Sequence, residues 1–252
     1  TTACWPCSRN AASPSTPTPV PVPWTWKKTF LKGRGTPILE NLSVNSPGSG
    51  NLRKRKGFFA DIIVIGAGPV GLLLANLLGK QGLNVIIYDR KSKISENSKA
   101  IGITPPSLEI LERLGLASDF VRAGLKIQHA IVHGSKKILG NVSFAGIPSR
   151  FPCILSLPQH VTEQLLYENI QKMPNVRVLW EHACTNVING TQSVQAVIMP
   201  LRSSVPIRVR APYLCACDGF HSTVRSLSGI SFRGHACRDT FLMGDFSDKS
   251  GF

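Results

Sequence analysis

Three glycines and one acid have the residue types and spacing to hold a phosphate-containing ligand. Gly66, Gly68 and Gly71 follow the pattern Gly-x-Gly-x-x-Gly, and Asp89 comes 18 residues after Gly71. The first glycine permits a tight turn, the second lets the backbone approach a pyrophosphate, and the third lets a helix pack closely on a strand. The acid accepts hydrogen bonds from ribose hydroxyls. This spacing predicts a dinucleotide site.

Such a site requires a strand, a turn and a helix, and the neighbouring residues predict all three. The glycines follow a β-branched run, "ADIIVIG", and a helix is predicted from Pro69 to Gln81 before a second buried strand, "LNVIIYD". The N–H groups and the dipole at the start of this helix would face anionic phosphates.

The same apolar run, preceded by the basic residues Arg53 to Lys56, has an alternative interpretation as a membrane anchor. A spanning helix needs about 20 uniformly apolar residues. Gly66, Gly68, Pro69 and Gly71 interrupt the run in its middle, which favours the nucleotide site.

Further elements are predicted along the chain. A helix begins at "PPSLEILERLGL", with Leu108, Leu111 and Leu114 on one face, and ends near Gly115. A strand pair ("HAIVHG" and "KKILGNVSFAG"), a helix ("PQHVTEQLLYENIQKM") and a strand ("VRVLWE") follow. Two β-rich runs around Asn189-Gly190 predict a hairpin, and "VPIRVRAPYLCACDG" predicts strands that end on a second glycine turn.

This second turn also carries groups suited to a nucleotide. Asp218 can hold ribityl or ribose hydroxyls, Gly219 lets the backbone approach a phosphate, and His221 and Arg225 offer positive donors. The alternative is purely structural, because Asp-Gly is a common turn and Ser222 is a suitable helix cap.

From about Phe59 to Phe252 the sequence resembles the FAD-dependent aromatic-ring and ubiquinone-ring hydroxylases of the para-hydroxybenzoate hydroxylase type. "DIIVIGAGPVGLLLANLLGKQGLNVIIYDRK" is similar to that family's first FAD motif, which ends here on Asp89 and Arg90 where the acid is more often Glu. Lys99 in "SKAIGITPPSLEILERLGL" stands where the family usually has Arg beside the flavin, and Gln159 in "LPQHVTEQLL" where it has a flavin-contacting Gln. "YLCACDGFHSTVR" is similar to the Asp-Gly motif credited with contacting FAD and the NAD(P)H pyrophosphate.

The resemblance implies an α/β fold: a Rossmann-like FAD-binding domain with a parallel sheet, plus the start of a β-rich substrate domain. It also implies FAD as cofactor, NAD(P)H as co-substrate, and molecular oxygen with an aromatic or quinone-like ring as substrates. The resemblance identifies no catalytic residue, and we expect no metal site.

The family carries a third motif, which "FLMGDFSDKSGF" does not match, because its Gly244-Asp245 comes too early and reads as a strand of the substrate sheet. We therefore expect an incomplete copy or fragment of a monooxygenase. A non-catalytic nucleotide-binding remnant is the alternative. An NAD-dependent dehydrogenase using only the first motif is disfavoured, because it leaves the Asp-Gly segment unexplained.

Composition divides the chain into three parts: a disordered basic tail rich in Pro, Ser and Thr (1–56), the FAD-binding domain with inserted strands (57–229), and the beginning of the substrate sheet (230–252). The net charge of +15 suits anionic ligands, but neither zinc-finger spacing nor a basic stripe with aromatic residues supports nucleic-acid binding. Seven cysteines, mostly in apolar surroundings, favour a reducing compartment. We expect a cytoplasmic protein without an integral membrane segment, or an organellar one if the tail is a transit peptide.

Overall fold

The computed structural model describes residues 60–96, 102–135 and 137–234. The predicted tail, Lys99 and the predicted strand around Gly244-Asp245 lie outside these residues. The described strands and helices, in chain order, are β1 (Ile62–Ile65), α1 (Pro69–Lys80), β2 (Val85–Tyr88), β3 (Gly102–Ile103), α2 (Pro105–Leu114), α3 (Ala117–Ala123), β4 (Leu125–Ile127), β5 (His129–His133), β6 (Ile138–Ser143), β7 (Ile154–Ser156), α4 (Gln159–Gln171), β8 (Val176–Leu179), β9 (His182–Asn189), β10 (Val194–Pro200), β11 (Ile207–Ala211), β12 (Tyr213–Ala216) and α5 (Thr223–Leu227).

A four-stranded parallel sheet forms the centre of the fold, in the order β12-β1-β2-β8. Its three adjacent strands end in register, because Ile65 lies opposite Tyr88 on one side and Ala216 on the other. The residues that follow these strands therefore meet at one edge of the sheet. Both predicted motifs begin at this edge.

The central sheet is buried on both faces, and this explains why its strands are almost continuously apolar. Because side chains alternate along a strand, Ile62 and Val64 pack toward the helices, whereas Ile63 and Ile65 pack toward a second sheet. The helix side contains buried residues of α1, α2, α3 and α4. The second sheet is antiparallel, in the order β11-β10-β9, and it contributes the buried residues Val194, Ala196 and Ile198.

The α/β architecture predicted from the sequence is confirmed. Helix α1 starts at Pro69 and ends at Lys80, one residue before the predicted end. Helix α2 ends where the left-handed Gly115 (φ +81) follows it. The predicted hairpin is β9–β10, and the Gly190 N–H closes its turn by donating to the Ser193 carbonyl at 2.9 Å.

Two small sheets complete the described part of the chain. The predicted strand pair is the hairpin β5–β6, and a three-stranded antiparallel sheet has the order β3-β7-β4. The apolar run that has the alternative interpretation as a membrane anchor consists of β1, the glycine turn and α1. Within the described residues, no helix combines the length and apolarity needed to cross a membrane.

Candidate functional site

The glycine turn between β1 and α1 is held by close backbone packing. Gly66 has φ +103, a left-handed conformation that favours glycine, and a Cβ there would lie 2.4 Å from the Cys217 carbonyl oxygen. A Cβ on Gly71 would lie 1.9 Å from the Gly66 carbonyl oxygen. The fold itself therefore requires glycine at both positions.

Gly68 is different, because nothing in the described protein explains its missing side chain. A Cβ there would meet no atom within 4 Å, and its φ of −82° and ψ of −176° are accessible to other residues. Gly68 is the N-cap of α1, where no side chain caps the helix and no acid occupies the first turn. The start of α1 offers backbone N–H donors and a helix dipole that can bind an anion in this open space.

Asp89 follows β2, beside the glycine turn, and is 8% exposed. Its Oδ2 accepts a hydrogen bond from the Ala67 N–H at 2.6 Å, and its Oδ1 accepts one from the Lys91 N–H at 2.8 Å. The carboxylate thus holds the turn between Gly66 and Gly68 in place. Each oxygen has a further lone pair that can accept from a ligand hydroxyl. The neighbouring Arg90 is exposed.

Asp218 follows β12, on the other side of β1, and organises the start of α5. Its Oδ1 accepts from the Ser222 hydroxyl at 2.5 Å, and its Oδ2 accepts from the Val224 N–H at 3.1 Å. Ser222 caps the helix by accepting from the Arg225 N–H at 3.0 Å, so the interpretation of Ser222 as a cap is confirmed. Gly219 takes the left-handed conformation, with φ +82.

The two predicted cations of this second segment make local contacts. The exposed ring of His221 packs edge-on against Phe220, with ring centroids 4.9 Å apart. The Arg225 guanidinium donates to the Phe220 carbonyl at 2.8 Å and lies 4.8 Å from the centre of the Phe232 ring. These contacts define where the His221 ring and the Arg225 guanidinium lie beside the Asp-Gly turn.

Gln159, the first residue of α4, lines a cavity of about 260 Å³ at the start of α1. Pro69 and Val70 form part of the same wall, and Leu73 and Leu157 contribute to its mostly apolar lining. The fold therefore brings Gln159 to the glycine turn from about 90 residues away along the chain. Lys99 lies outside the described residues.

The thiols near the Asp-Gly segment are poor nucleophiles. Burial raises the pKa of Cys217 to about 12, with smaller contributions from Cys215 and Asp218. Burial and then Asp218 raise the pKa of Cys184 to about 11. Both thiols therefore stay protonated near neutral pH, which argues against thiolate chemistry. The described residues also contain no group of His, Cys, Asp and Glu that could hold a metal ion.

One buried acid near the site has no motif signal. Glu163 lies on α4 with 1% exposure, one turn after Gln159, and its Oε1 accepts from the Gln159 side-chain N–H at 2.8 Å. The sequence offered only one clue, an acid on the apolar stripe of a helix that also carries Leu166 and Ile170.

The chain belongs to a family of flavin-binding proteins. Residues 60–248 match the family described as "FAD binding domain", so the predicted resemblance is confirmed. FAD is therefore the cofactor with which the glycine turn and the open space before α1 are compatible.

Several proteins similar to this chain are aromatic hydroxylases. A para-nitrophenol 4-monooxygenase from a Pseudomonas species is 31% identical over 69% of this chain and 43% of its own length. A rifampicin monooxygenase from Streptomyces venezuelae is 30% identical over 73% of this chain and 37% of its own length.

Two solved structures that are similar to this chain are also those of a monooxygenase and a hydroxylase. The p-nitrophenol 4-monooxygenase from Pseudomonas putida is 28% identical with a TM-score of 0.66, over 70% of this chain and 45% of that one. An aklavinone-11 hydroxylase, in a ternary complex with FAD and aklavinone, is 25% identical with a TM-score of 0.60, over 68% of this chain and 35% of that one. The chain thus spans less than half the length of each of these relatives.

Proposed function

We propose that this chain binds FAD as the flavin-binding part of an NAD(P)H-dependent monooxygenase that hydroxylates an aromatic or quinone-like ring. The observation that carries the proposal is the open space at Gly68. It lies before the uncapped start of α1, at the strand edge where Asp89 and Asp218 stand on either side of the glycine turn.

The residues around this space suit different parts of FAD. The N–H groups at the start of α1 face the pyrophosphate, and Gly68 leaves room for it. Asp89 accepts hydrogen bonds from the adenosine ribose through its remaining lone pairs. Asp218 and Gln159 bind the ribityl chain and the flavin ring. Arg90, Arg225 and, when protonated, His221 supply positive charge, and Gly219 allows close approach of the second turn. Lys99, which lies outside the described residues, is proposed from its sequence motif alone to add to this charge.

The catalytic chemistry in this proposal belongs to the cofactor. When bound, FAD would supply the redox chemistry of the reaction, namely electron uptake from NAD(P)H and activation of molecular oxygen for hydroxylation of an electron-rich ring. This chain's residues bind and orient the dinucleotide, and the apolar wall with Leu73 and Leu157 excludes water from part of the site.

We further propose that residues 57–229 form the FAD-binding domain and that 230–252 begin the substrate domain. Hydroxylation in this proposal also needs segments like those of the relatives that the chain does not span. FAD binding and hydroxylation are therefore separable in experiment.

The first experiment is a titration of the purified chain with FAD, followed by removal of unbound flavin and an absorbance spectrum. We expect close to one retained flavin per folded chain, and a folded chain that retains none would overturn the proposal. A parallel titration with NAD⁺ separates the dehydrogenase alternative, which requires NAD⁺ binding without retained flavin.

The second step is NAD(P)H oxidation by the FAD-loaded chain with a set of phenols. Faster oxidation with a phenol present, together with a hydroxylated product, supports the monooxygenase. The chain could retain flavin but oxidise no NAD(P)H, and a longer version carrying the segments that this chain does not span could also oxidise none. That result would favour a non-catalytic binding protein.

A further inference from the structure

Glu163 is a buried acid whose two oxygens are unequally satisfied. Its Oε1 accepts from the Gln159 side-chain N–H at 2.8 Å, whereas its Oε2 accepts no hydrogen bond from the described residues. The ion-pair partner is Lys91, whose Nζ lies 3.8 Å from Oε2. This separation exceeds the 2.7–3.2 Å of an ordinary N–H···O hydrogen bond.

Packing alone does not account for an acid at this position. Glu163, Leu166 and Ile170 share the buried stripe of α4, where an apolar residue would avoid the cost of burying a charge. An ionised carboxylate in such a place needs a partner, and removing that partner is costly. The acid therefore has a role that a leucine could not fill.

The two partners of Glu163 connect it to the glycine turn and to the start of α1. The Lys91 N–H donates to Asp89, and Asp89 in turn accepts from the Ala67 N–H inside the turn. Gln159 lines the cavity at the start of α1. Glu163 thus links the segment after β2 to the residues beside the helix start.

On the basis of the function proposed above, we propose that Glu163 is a positioning residue for the flavin site, acting through Gln159 and Lys91. Because a carboxylate only accepts hydrogen bonds, it holds the amide nitrogen of Gln159 toward itself and turns the amide oxygen away from it. Its charge keeps the Lys91 ammonium group beside α4 and so ties the segment after β2, which also carries Asp89, to that helix. Gln159 then meets the ligand in one fixed orientation.

The test compares the full chain with Glu163→Gln, which keeps the shape of the side chain and removes its charge. Glu168→Gln is the matched control, because Glu168 accepts from Gln164 at 2.9 Å with the same i,i+4 spacing on the same helix, but on its exposed side. The measurements are the FAD dissociation constant, the visible circular dichroism of bound FAD at saturation, and the melting temperature without FAD.

We expect Glu163→Gln to weaken FAD binding about tenfold and to change the visible circular dichroism, since the Gln159 hydrogen bond loses its charged acceptor and the Lys91 ion pair is removed. The Glu168 variant should bind FAD within about twofold of the parent, as expected of an exposed pair. In a Gln159→Ala background, Glu163→Gln should change the flavin spectrum little further, because both changes act on the same contact.

A lowered melting temperature with unchanged FAD affinity and spectrum would show that Glu163 only stabilises the fold, and the proposal would be wrong. If Glu163→Gln does not fold, Lys91→Met tests the same link from the half-exposed partner, and unchanged FAD affinity there would also overturn it. A parent chain that binds no FAD would instead overturn the proposed function, and this role with it.

Discussion

Replacing Gly68 with alanine should separate ligand binding from folding at the glycine turn. The backbone at Gly68 is extended, and the added methyl would meet no atom of the described residues within 4 Å. The unfolded chain loses conformational freedom when glycine becomes alanine, which stabilises by about 0.4–1 kcal/mol, whereas alanine is a poorer N-cap than glycine by a similar amount. The unliganded protein should therefore change in stability by less than about 1 kcal/mol.

FAD binding should be weakened by Gly68→Ala, and by more than the stability of the unliganded protein changes. The methyl of Gly68→Ala would occupy the open space before α1, into which a pyrophosphate must come close for the helix N–H groups to donate. Forcing an extra methyl group into a packed contact costs about 1–3 kcal/mol. The FAD dissociation constant should therefore rise roughly 5- to 150-fold.

The assay is a calorimetric titration of FAD into the parent, Gly68→Ala and the control Gly146→Ala, with urea unfolding of each unliganded protein. Gly146 is a suitable control because it is exposed and a Cβ there also meets nothing within 4 Å. Equal FAD affinity of parent and Gly68→Ala would refute the assignment of this space to the pyrophosphate. A loss of stability in Gly68→Ala well above the roughly 1 kcal/mol of a poorer N-cap would refute the claim that the protein leaves the space open.

Three other predictions concern stability. Gly71→Ala should destabilise the unliganded fold by at least the roughly 1–3 kcal/mol of overpacking, since its methyl would lie 1.9 Å from the Gly66 carbonyl oxygen; urea unfolding equal to the parent would contradict this. Asp89→Asn should cost about 1–3 kcal/mol and weaken FAD binding, because an amide can accept with only one of its two polar atoms where the carboxylate accepts two backbone N–H groups; retention of both properties would exclude the role of Asp89 in the turn. Since burial raises the pKa of Cys217 from 9.0 to about 12, the unfolded thiol loses its proton first, and its contribution to stability should be complete below pH 9.0 and fall as the pH rises toward 12. Urea unfolding across that range should show a flatter pH dependence for Cys217→Ala, and identical slopes would be evidence against the shift.

The central layer of the fold was predictable because local and tertiary requirements coincide there. β1 and β2 are short apolar runs, and a parallel strand covered on both faces needs such a run. Gly66 and Gly71 mark backbone contacts that admit no side chain, so their spacing carries information about three-dimensional packing. Helix α2 was equally clear, since Pro begins it and a left-handed Gly115 follows it.

The elements that sequence reasoning missed are short. β3, β4 and β7 contain two or three residues each, too few for a periodic pattern, and they form a sheet only because β7 pairs with both of its neighbours. Helix α3 has seven residues and no side-chain cap. Its burial depends on Phe120, which packs among residues from distant parts of the chain.

In the candidate site, the sequence predicted residues that belong to a local motif, and it missed contacts that depend on how distant elements pack together. Spacing predicted Asp89 as a ligand for ribose, but it could not show that both carboxylate oxygens accept from backbone N–H groups. One of these N–H groups belongs to Ala67, 22 residues away along the chain. Nor could it show that Glu163 faces Lys91, because that ion pair depends on how α4 lies beside the segment after β2. These contacts join groups of the protein itself and restrain the conformation of the glycine turn. A turn fixed in advance loses little conformational entropy on binding, so its N–H groups can contribute nearly their full interaction energy to holding a pyrophosphate.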